Sequence, residues 1–310
     1  MINKYILQIH GLPYFNNSSE LADLIHIDYS RMQLYIEKGF RFYKKCYIPK
    51  KDGSFREIYQ PCKELKAIQA WILRNILDLL IPSNQASAYI KGRTIQYHLR
   101  PHNNFRYFYC IDIDNFFPSI KSDRVKKLFE NIGYSSEAAY LLTVLTTCNG
   151  FLPQGGVTSP SLSNFICLSL DKRLYGLTSR RNITFTRYAD DMVFSSNNRN
   201  ELNKTSTTIK KIVNDEKFKL NDVKTRFIGP KKQCKITGLV KDTSNPEFRI
   251  GRKKKRIMRS IIFNAYVNGV FLDSKYKSIH SITGWLSYLK SVDYKSYQQL
   301  LQYIDRLKKI

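Results

Sequence analysis

The sequence predicts an α+β fold in which a small antiparallel sheet in the middle of the chain is combined with many helices. Residues 106–111 are almost all aromatic or aliphatic, which suits a strand buried on both faces. Segments 183–188 and 192–195 have the composition of two further strands joined by a short turn. Apolar residues at spacings of three and four in 63–80, and again after Gly251, indicate helices.

The composition excludes several classes of protein. The chain has 310 residues, and its 51 Lys and Arg against 25 Asp and Glu give a formal net charge of +26. Such an excess of positive charge indicates a polyanionic partner. Because 43% of the residues are hydrophobic, the chain is too apolar to be a disordered basic tail. Its length allows two domains or one domain with several lobes.

Neither membrane insertion nor secretion is predicted. No apolar run approaches the roughly 18 residues that span a bilayer, and the first residues lack a long apolar region and a small-residue cleavage site. We therefore expect a cytoplasmic protein with no membrane partner. The six cysteines are scattered without a CxxC pair, so they are expected to be buried thiols that form neither a zinc site nor disulfides.

Local signals predict the elements of the first part of the chain in turn. Ser18 and Ser30 begin two short helices, and Gly39 ends the second one. Residues 44–61 have the pattern of a basic β-hairpin with an Asp-Gly turn. The helix over 63–80 follows, and the proline after it is a natural stop.

After Gly251, three apolar stretches with helical spacing predict a C-terminal helical region, with boundaries that periodicity places only to within several residues.

Three carboxylates stand out in so basic a chain. Asp112 ends one hydrophobic strand, and Asp190 and Asp191 lie in the turn between two others. If these strands are neighbours in one sheet, the three carboxylates converge and repel one another unless cations neutralise them. Hard oxygen ligands suit Mg²⁺, and two such ions about 4 Å apart stabilise both oxygens of an in-line phosphoryl displacement. Taken singly, each aspartate is more typical of a turn or a helix cap.

An ordered set of short motifs resembles those of reverse transcriptases. Tyr188, Ala189, Asp190 and Asp191 match the YxDD box of that family, and boxes of four residues occur by chance whereas ordered sets do not. The other matching segments are 56–61 (fingers motif), 112–117 (first palm motif), 152–160 with Asn164 (PQG motif) and 220–225 (the motif after the YxDD hairpin). The resemblance implies an α+β right-hand polymerase with an antiparallel palm sheet. Its expected units are N-terminal helices (1–40), fingers around the hairpin (41–104), the palm (105–240, with a fingers insertion at about 121–150) and a C-terminal helical thumb and RNA-binding region (241–310).

Two further segments resemble elements of the bacterial retron group of this family. Residues 236–240 are similar to the retron VTG element, with Ile in place of Val. Residues 98–102 occupy the place of the retron NAxxH element. This segment keeps the final His102 but has His-Leu where the group has Asn-Ala.

The resemblance also implies roles for individual residues. Asp112, Asp190 and Asp191 would be the catalytic carboxylates and would hold two Mg²⁺ ions. Phe117 matches the sugar-gate position, where a bulky ring excludes a 2′-hydroxyl. The residues implied in dNTP binding are Lys50, Lys51, Arg56, Phe117, Gln154 and Lys224. Those implied in RNA binding are His102, Thr237, Gly238, Arg252, Lys253, Lys254, Lys255 and Arg256.

Each of these residues also has a plain structural interpretation. Phe117 could be a core ring, Gln154 could belong to a simple Pro-Gln-Gly turn, and Lys224 could be a surface lysine. The basic run 252–256 could be a solvated helix face. The glycines after Gln154 are expected to let the backbone approach a base pair or template, because glycine has no Cβ.

The implied function is reverse transcription of a cognate non-coding RNA that serves as template and primer. In the retron group, synthesis starts from the 2′-hydroxyl of an internal guanosine and gives a branched RNA-DNA molecule (msDNA), within a phage-defence system that includes an effector protein. Two alternatives remain open at this point. One is another bacterial reverse transcriptase, of the intron-derived or abortive-infection type, that primes from a 3′-hydroxyl. The other is an RNA-binding scaffold with a vestigial polymerase site.

Overall fold

The computed structural model describes residues 2–50, 53–241, 246–267 and 279–308. The helices are α1 (Ile2–Ile9), α2 (Ser18–Ile25), α3 (Tyr29–Lys38), α4 (Lys63–Asn75), α5 (Ile95–Leu99), α6 (Phe116–Ser119), α7 (Ser122–Ile132), α8 (Ser136–Thr146), α9 (Ser159–Ile166), α10 (Leu168–Ser179), α11 (Arg199–Asp215), α12 (Arg252–Val267), α13 (Ile279–Val292) and α14 (Tyr294–Leu307). The strands are β1 (Tyr43–Pro49), β2 (Phe55–Pro61), β3 (Tyr107–Asp112), β4 (Thr184–Tyr188), β5 (Asp191–Ser196), β6 (Arg226–Ile228), β7 (Cys234–Ile236) and β8 (Leu239–Lys241). The α+β expectation with an antiparallel sheet is confirmed.

The central sheet has the strand order β4-β5-β3-β6, and its pairs are antiparallel. Two separate hairpins, β1–β2 and β7–β8, accompany it. Asp191 was expected in the turn of the β4–β5 hairpin, but it is the first residue of β5 and pairs with Tyr188. The turn is therefore shorter than the sequence suggests and consists of Ala189 and Asp190.

The two faces of this sheet pack against two different cores, because successive strand residues point to opposite sides. On β3, Tyr109 and Ile111 join one core, whereas Phe108 and Cys110 join the other. We call the first the large core, which includes Phe129, Leu142, Leu162, Leu174 and Ile209. We call the second the C-terminal core, which includes Phe248, Ile262, Leu289, Leu300 and Ile304. The sheet thus fixes the helices that follow Gly251 against the middle of the chain.

The hairpin and the C-terminal helices agree with the sequence, whereas the helix over 63–80 ends early. Helix α4 stops at Asn75, and a short 3₁₀ turn covers Leu77–Leu79. Ile76 and Leu77 are both fully buried, and a continuous α-helix would turn these two successive side chains about 100° apart. The break at Ile76 lets both reach the core. Helix α1, which places Leu7 in the large core, has no counterpart among the sequence predictions.

Within the described residues, no helix is long and apolar enough to cross a bilayer. The six cysteines are free thiols: Cys46 and Cys62 are half-buried, and the other four are buried. Burial raises the pKa of the Cys110 thiol to about 12, which makes it unreactive at neutral pH.

Candidate active site

Three aspartates lie together where strand β3 ends and strand β5 begins. Asp112 is the last residue of β3 and stands directly opposite Asp191 in the antiparallel register. Asp190 lies one residue before Asp191, and its carbonyl accepts a hydrogen bond of 3.2 Å from the amide of Ile113. Directly opposed residues have Cβ atoms about 5 Å apart. The sheet therefore brings together the carboxylates that the sequence singled out.

The turn that carries Asp190 is held in an uncommon backbone conformation. Ala189 has a φ of 57°, in the left-handed region that disfavours residues with a Cβ. It is also buried. Because the direction of Asp190 depends on this dihedral angle, the surroundings of Ala189 decide where that carboxylate points.

The three carboxylates destabilise one another's charged form. Burial, and then the charges of Asp190 and Asp112, raise the pKa of Asp191 to about 7. Burial and the charge of Asp112 also raise the pKa of Asp190. Such a cluster is stabilised by any cation that reaches it.

One cation in the cluster belongs to the chain itself. The Nζ atom of Lys224 donates to both carboxylate oxygens of Asp112, each at 2.9 Å. The loop that carries Lys224 is attached to β3, since the amide of Asn221 donates to the carbonyl of Asp112 at 2.8 Å. Burial alone would lower the pKa of Lys224, but its hydrogen bonds with Asp112 and the nearby carboxylates raise it. The side chain remains 56% exposed, so it is free to change partners.

The donor set suits a hard divalent cation. Within the described residues, no group of three or more His, Cys, Asp or Glu side chains has a preformed metal-binding arrangement, and Asp112 is engaged by Lys224. The three side chains nevertheless offer only carboxylate oxygens, the ligands that Mg²⁺ prefers. The raised pKa values of Asp190 and Asp191 express the same need for positive charge.

The basic side chains expected to meet a triphosphate lie on the β1–β2 hairpin. Arg56 is exposed on β2, and its charge lowers the pKa of Asp190, so it is close enough to act on the cluster. Lys50 is exposed at the end of the hairpin, where its amide donates to the carbonyl of Ser54. Lys51 lies outside the described residues. Binding of dNTP by these residues stays a prediction.

An aromatic pair lies beside the carboxylates. Phe117 is half-buried, and its ring centroid is 6.3 Å from that of Tyr89. Tyr89 is half-exposed and has a φ of 63°. Burial and the charge of Asp190 raise its pKa, which indicates that the phenol lies near that carboxylate. Tyr89 was not predicted from the sequence. No pattern in the surrounding residues marks it, because only the fold brings its side chain to the site.

The glycines after Gln154 have a different reason from the one expected. A Cβ on Gly155, whose φ is 120°, would lie 2.8 Å from the carbonyl oxygen of Tyr59 on β2. The amide of Tyr59 in turn donates to the carbonyl of Gln154 at 2.8 Å. A close approach to the β1–β2 hairpin is therefore enough to require Gly155, and approach of this segment to a template stays a prediction. Gln154 itself is half-buried, and its contact with dNTP stays a prediction.

Apart from His102, the residues expected to bind RNA lie on two neighbouring elements. Thr237 and Gly238, with φ values of 42° and 86°, form the turn of the β7–β8 hairpin. The Nζ atom of Lys254 lies 3.7 Å from the point where a Cβ on Gly238 would be, so this turn adjoins the start of α12.

The basic run itself forms the first turns of α12. Its exposed members are Arg252, Lys253, Lys254 and Arg256. Lys255 is half-buried and forms an ion pair of 3.3 Å with Asp293. It is therefore the member of the run least suited to contact RNA.

The prediction that His102 contacts RNA is wrong for this structure, because the side chain is fully buried. One ring nitrogen is 2.6 Å from the hydroxyl of Ser195, and the other is 2.7 Å from that of Thr186. His98, also fully buried, approaches the same Thr186 hydroxyl at 2.7 Å. Burial lowers the pKa of both rings. This histidine pair therefore contacts both strands of the β4–β5 hairpin, through Thr186 and Ser195.

Comparisons with known proteins agree with this geometry. Residues 48–240 match the family model described as reverse transcriptase (RNA-dependent DNA polymerase). The chain is 35% identical over 312 residues to the Retron Ec86 reverse transcriptase of Escherichia coli, covering 99% of this chain and 94% of that protein. It is 30% identical to the Retron Mx162 reverse transcriptase of Myxococcus xanthus, over 82% of this chain and 60% of that protein.

Solved structures support the fold. The apo telomerase from Candida tropicalis matches with a TM-score of 0.57 and 13% sequence identity, over 87% of this chain and 60% of that one. At this identity the likeness concerns the fold alone. The sequence relatives identify the family, which these structures do not. The chain therefore belongs to the retron reverse transcriptases, and its activity is that of an RNA-directed DNA polymerase.

Proposed function

We propose that this chain copies a cognate structured non-coding RNA into DNA at the site formed by Asp112, Asp190 and Asp191. The observation that carries the proposal is the cross-strand pairing of Asp112 with Asp191, next to Asp190, at one end of the central sheet. Membership of the family indicates RNA-directed DNA synthesis. The paired aspartates offer the carboxylate oxygens that this reaction needs to hold metal ions.

The elements fit a right-hand polymerase. The central sheet and its helices correspond to the palm (105–240), with α7 and α8 as the insertion at about 121–150. The β1–β2 hairpin corresponds to the fingers (41–104), and α12 to α14 correspond to the thumb (241–310). The N-terminal helices (1–40) stand before the fingers. The shared large core under palm and hairpin supports this assignment.

The three carboxylates would hold two Mg²⁺ ions, which supply charge for the attacking hydroxyl and the triphosphate. The side chains act around that centre. Arg56 and Lys50 on the hairpin, with Lys51, offer cations to the phosphates, as charge shifts during transfer require. Lys224 can exchange Asp112 for the triphosphate and give its proton to the leaving pyrophosphate, which its exposure supports.

Phe117 and Gln154 would position the nucleotide. Phe117 is the sugar gate, and Tyr89 completes an aromatic wall on the side of Asp190. RNA would be held by Thr237 and Gly238 of the β7–β8 turn and by the exposed cations of the 252–256 run, which adjoin that turn. The net charge of +26 supports the polyanionic partner.

The retron relatives favour priming from the 2′-hydroxyl of an internal guanosine, which gives branched msDNA. The same kinship favours a role in phage defence with an effector protein. Expression with the flanking genomic sequence, followed by analysis of copurifying nucleic acid, tests the first point. DNA joined to RNA through a debranching-sensitive bond is expected. Linear cDNA would indicate 3′-hydroxyl priming, and bound RNA without DNA would indicate a scaffold.

Replacement of Asp190 tests the catalytic site. We expect Asp190→Asn to abolish DNA synthesis while RNA affinity stays near that of the unmodified protein, because the change removes a charged ligand and keeps the shape. Asp215→Asn on α11, which alters a surface ion pair with Arg173 on α10, is the matched control. Primer extension and RNA binding are measured for both, and near-normal synthesis by Asp190→Asn contradicts the proposed site.

Replacement of Phe117 tests the sugar gate. Phe117→Val opens the space under the ribose, so ribonucleotide incorporation relative to dNTP should rise by about tenfold or more. Steady-state incorporation with matched rNTP and dNTP measures this ratio. An unchanged ratio would assign Phe117 to packing against Phe116, whose ring centroid is 5.4 Å away.

A further inference from the structure

The largest fully buried side chain of the described residues belongs to a cation, Arg187, directly before the YxDD box. Its Nε and Nη2 atoms donate to the two carboxylate oxygens of Asp171 on α10, at 2.7 and 2.8 Å. Both side chains have no exposed surface. Burial alone would lower the pKa of Arg187, but Cys167 and Asp171 raise it, so the guanidinium stays charged.

The third nitrogen of this guanidinium reaches the catalytic turn. Arg187 Nη1 donates to the carbonyl of Ala189 at 3.2 Å and to Oδ1 of Asn164 at 3.1 Å. Ala189 is the residue with the left-handed backbone that precedes Asp190. Because the ion pair with Asp171 fixes the plane of the guanidinium, the hydrogen bond fixes the carbonyl of Ala189 relative to the large core.

Arg187 and Asn164 also bind the segment that leads to Tyr89. The amide and hydroxyl of Ser87 both donate to the carbonyl of Arg187, at 2.9 and 2.8 Å. Asn164 Nδ2 donates to the carbonyl of Ala88 at 2.8 Å. The aromatic side of the site and the carboxylate turn are thus attached to one buried group.

A buried ion pair is by itself weak evidence for stability, since apolar residues of similar volume often replace one without loss. The geometry here gives the charge another use, because only a guanidinium offers a planar fork together with a further donor. We propose that Arg187 is a positioning residue for the polymerase reaction: it holds the Ala189 turn in the left-handed conformation that directs Asp190. This inference rests on the proposed catalytic role of Asp190.

The experiment is a comparison of Arg187→Lys, Ala189→Gly and the double variant of the full chain. Arg187→Lys keeps the charge and loses the fork, so the turn relaxes and kcat should fall about 10- to 100-fold, as small misplacements of catalytic groups do. RNA affinity and KM for dNTP should change little. Glycine adopts positive φ without strain, so the double variant should be faster than Arg187→Lys, by about fivefold or more.

The rescue separates positioning from general loss of stability. Leu174→Ala, which opens the core one turn after Asp171 on α10, is the control for stability. Its kcat should be unaffected below its melting temperature, and adding Ala189→Gly to it should give no gain. If Arg187→Lys does not fold, Arg187→Met combined with Asp171→Leu replaces it in the same comparison, since this change removes the guanidinium and its counter-ion together and leaves no buried charge unpaired.

Two results would overturn the inference: an unchanged kcat in the folded Arg187 variant, or no gain in kcat when Ala189→Gly is added to that variant. Asp190→Asn, measured in parallel, distinguishes this from a failure of the proposed site. If Asp190→Asn remains active, the site assignment fails. If it is inactive and the glycine gives no rescue, only the positioning role of Arg187 fails.

Discussion

Two polar clusters lie on opposite faces of strand β4, and they deal with burial in opposite ways. Thr186 points towards the C-terminal core and meets His98 and His102, whereas the next residue, Arg187, points towards the large core and meets Asp171. All of these side chains are buried. One cluster consists of uncharged groups, and the other is an ion pair.

The difference follows from proton affinity. A histidine that is removed from water can release its proton, and burial lowers the pKa of His98 to about 3. An arginine cannot do so at any ordinary pH, so it enters the core only with a carboxylate and with its donors satisfied. The β4–β5 hairpin therefore packs against one cluster whose stability depends on pH and against another whose stability depends on both partners of an ion pair.

Removal of one partner of the ion pair should have the largest effect. We expect Asp171→Asn to lower the free energy of unfolding by about 3 to 5 kcal/mol, because it leaves the charge of Arg187 buried without a counter-ion. Chemical denaturation measures the change. The double replacement Asp171→Leu with Arg187→Met should be less destabilising than Asp171→Asn, and the opposite order would contradict the comparison.

Acid should weaken the histidine face next. The unfolded chain binds a proton at His98 below its ordinary pKa of 6.5, whereas the folded chain does so only near 3. The free energy of unfolding therefore falls as pH falls from 6.5, by about 1.4 kcal/mol per pH unit for each such ring. The raised pKa of Asp191, about 7, acts with the opposite sign, so a variant is needed to isolate the histidine.

His98→Asn removes one of the two titrating rings and keeps a polar side chain. Between pH 6 and 4 the pH slope of its free energy of unfolding should be shallower than that of the unmodified protein, by about 1.4 kcal/mol per pH unit. His10→Asn, at an exposed position, is the matched control and should keep the original slope. Equal slopes in all three proteins would show that the folded protein does not hold His98 in its neutral form.

The smallest effect is expected for an exposed pair with similar hydrogen-bond lengths. Arg31 donates to both oxygens of Glu64 at 2.7 and 2.6 Å, but both side chains are more than half-exposed. Water and salt screen such a pair. Arg31→Gln should therefore change the free energy of unfolding least of the three replacements, and a loss comparable to that of Asp171→Asn would mean that burial is not the deciding variable.

Local patterns were good guides wherever neighbouring residues decide the structure. The alternation and apolar content of 106–111, 183–188 and 192–195 predicted β3, β4 and β5, and the spacing after Gly251 predicted the C-terminal helices. The short strand β6 of the same sheet was not predicted. Asp112, Asp190 and Asp191 were found because the first ends a hydrophobic strand and the other two lie in the expected turn between two such strands. Their catalytic roles remain predictions, whereas their meeting across β3 and β5 is a feature of the fold.

Where distant residues decide the structure, the sequence was silent or misleading. Gly155 was assigned to template contact, but it is required by Tyr59, far away in the chain. His102 was assigned to RNA, but the fold buries it against Ser195 and Thr186. A side chain that is polar in the sequence does not reveal whether its partner will be water, nucleic acid or another part of the chain.

The sequence by itself determined the α+β class, the β1–β2 and β4–β5 hairpins, the kinship to reverse transcriptases and the identity of the three carboxylates. These depend on periodicity, turn chemistry and motif order, which are all properties of short segments. Only the tertiary structure decided that Lys224 neutralises Asp112 and that Arg187 reaches the carbonyl of Ala189. Those contacts join residues of different elements, and a hydrogen bond or an ion pair exists only where packing brings its two partners within about 3 Å.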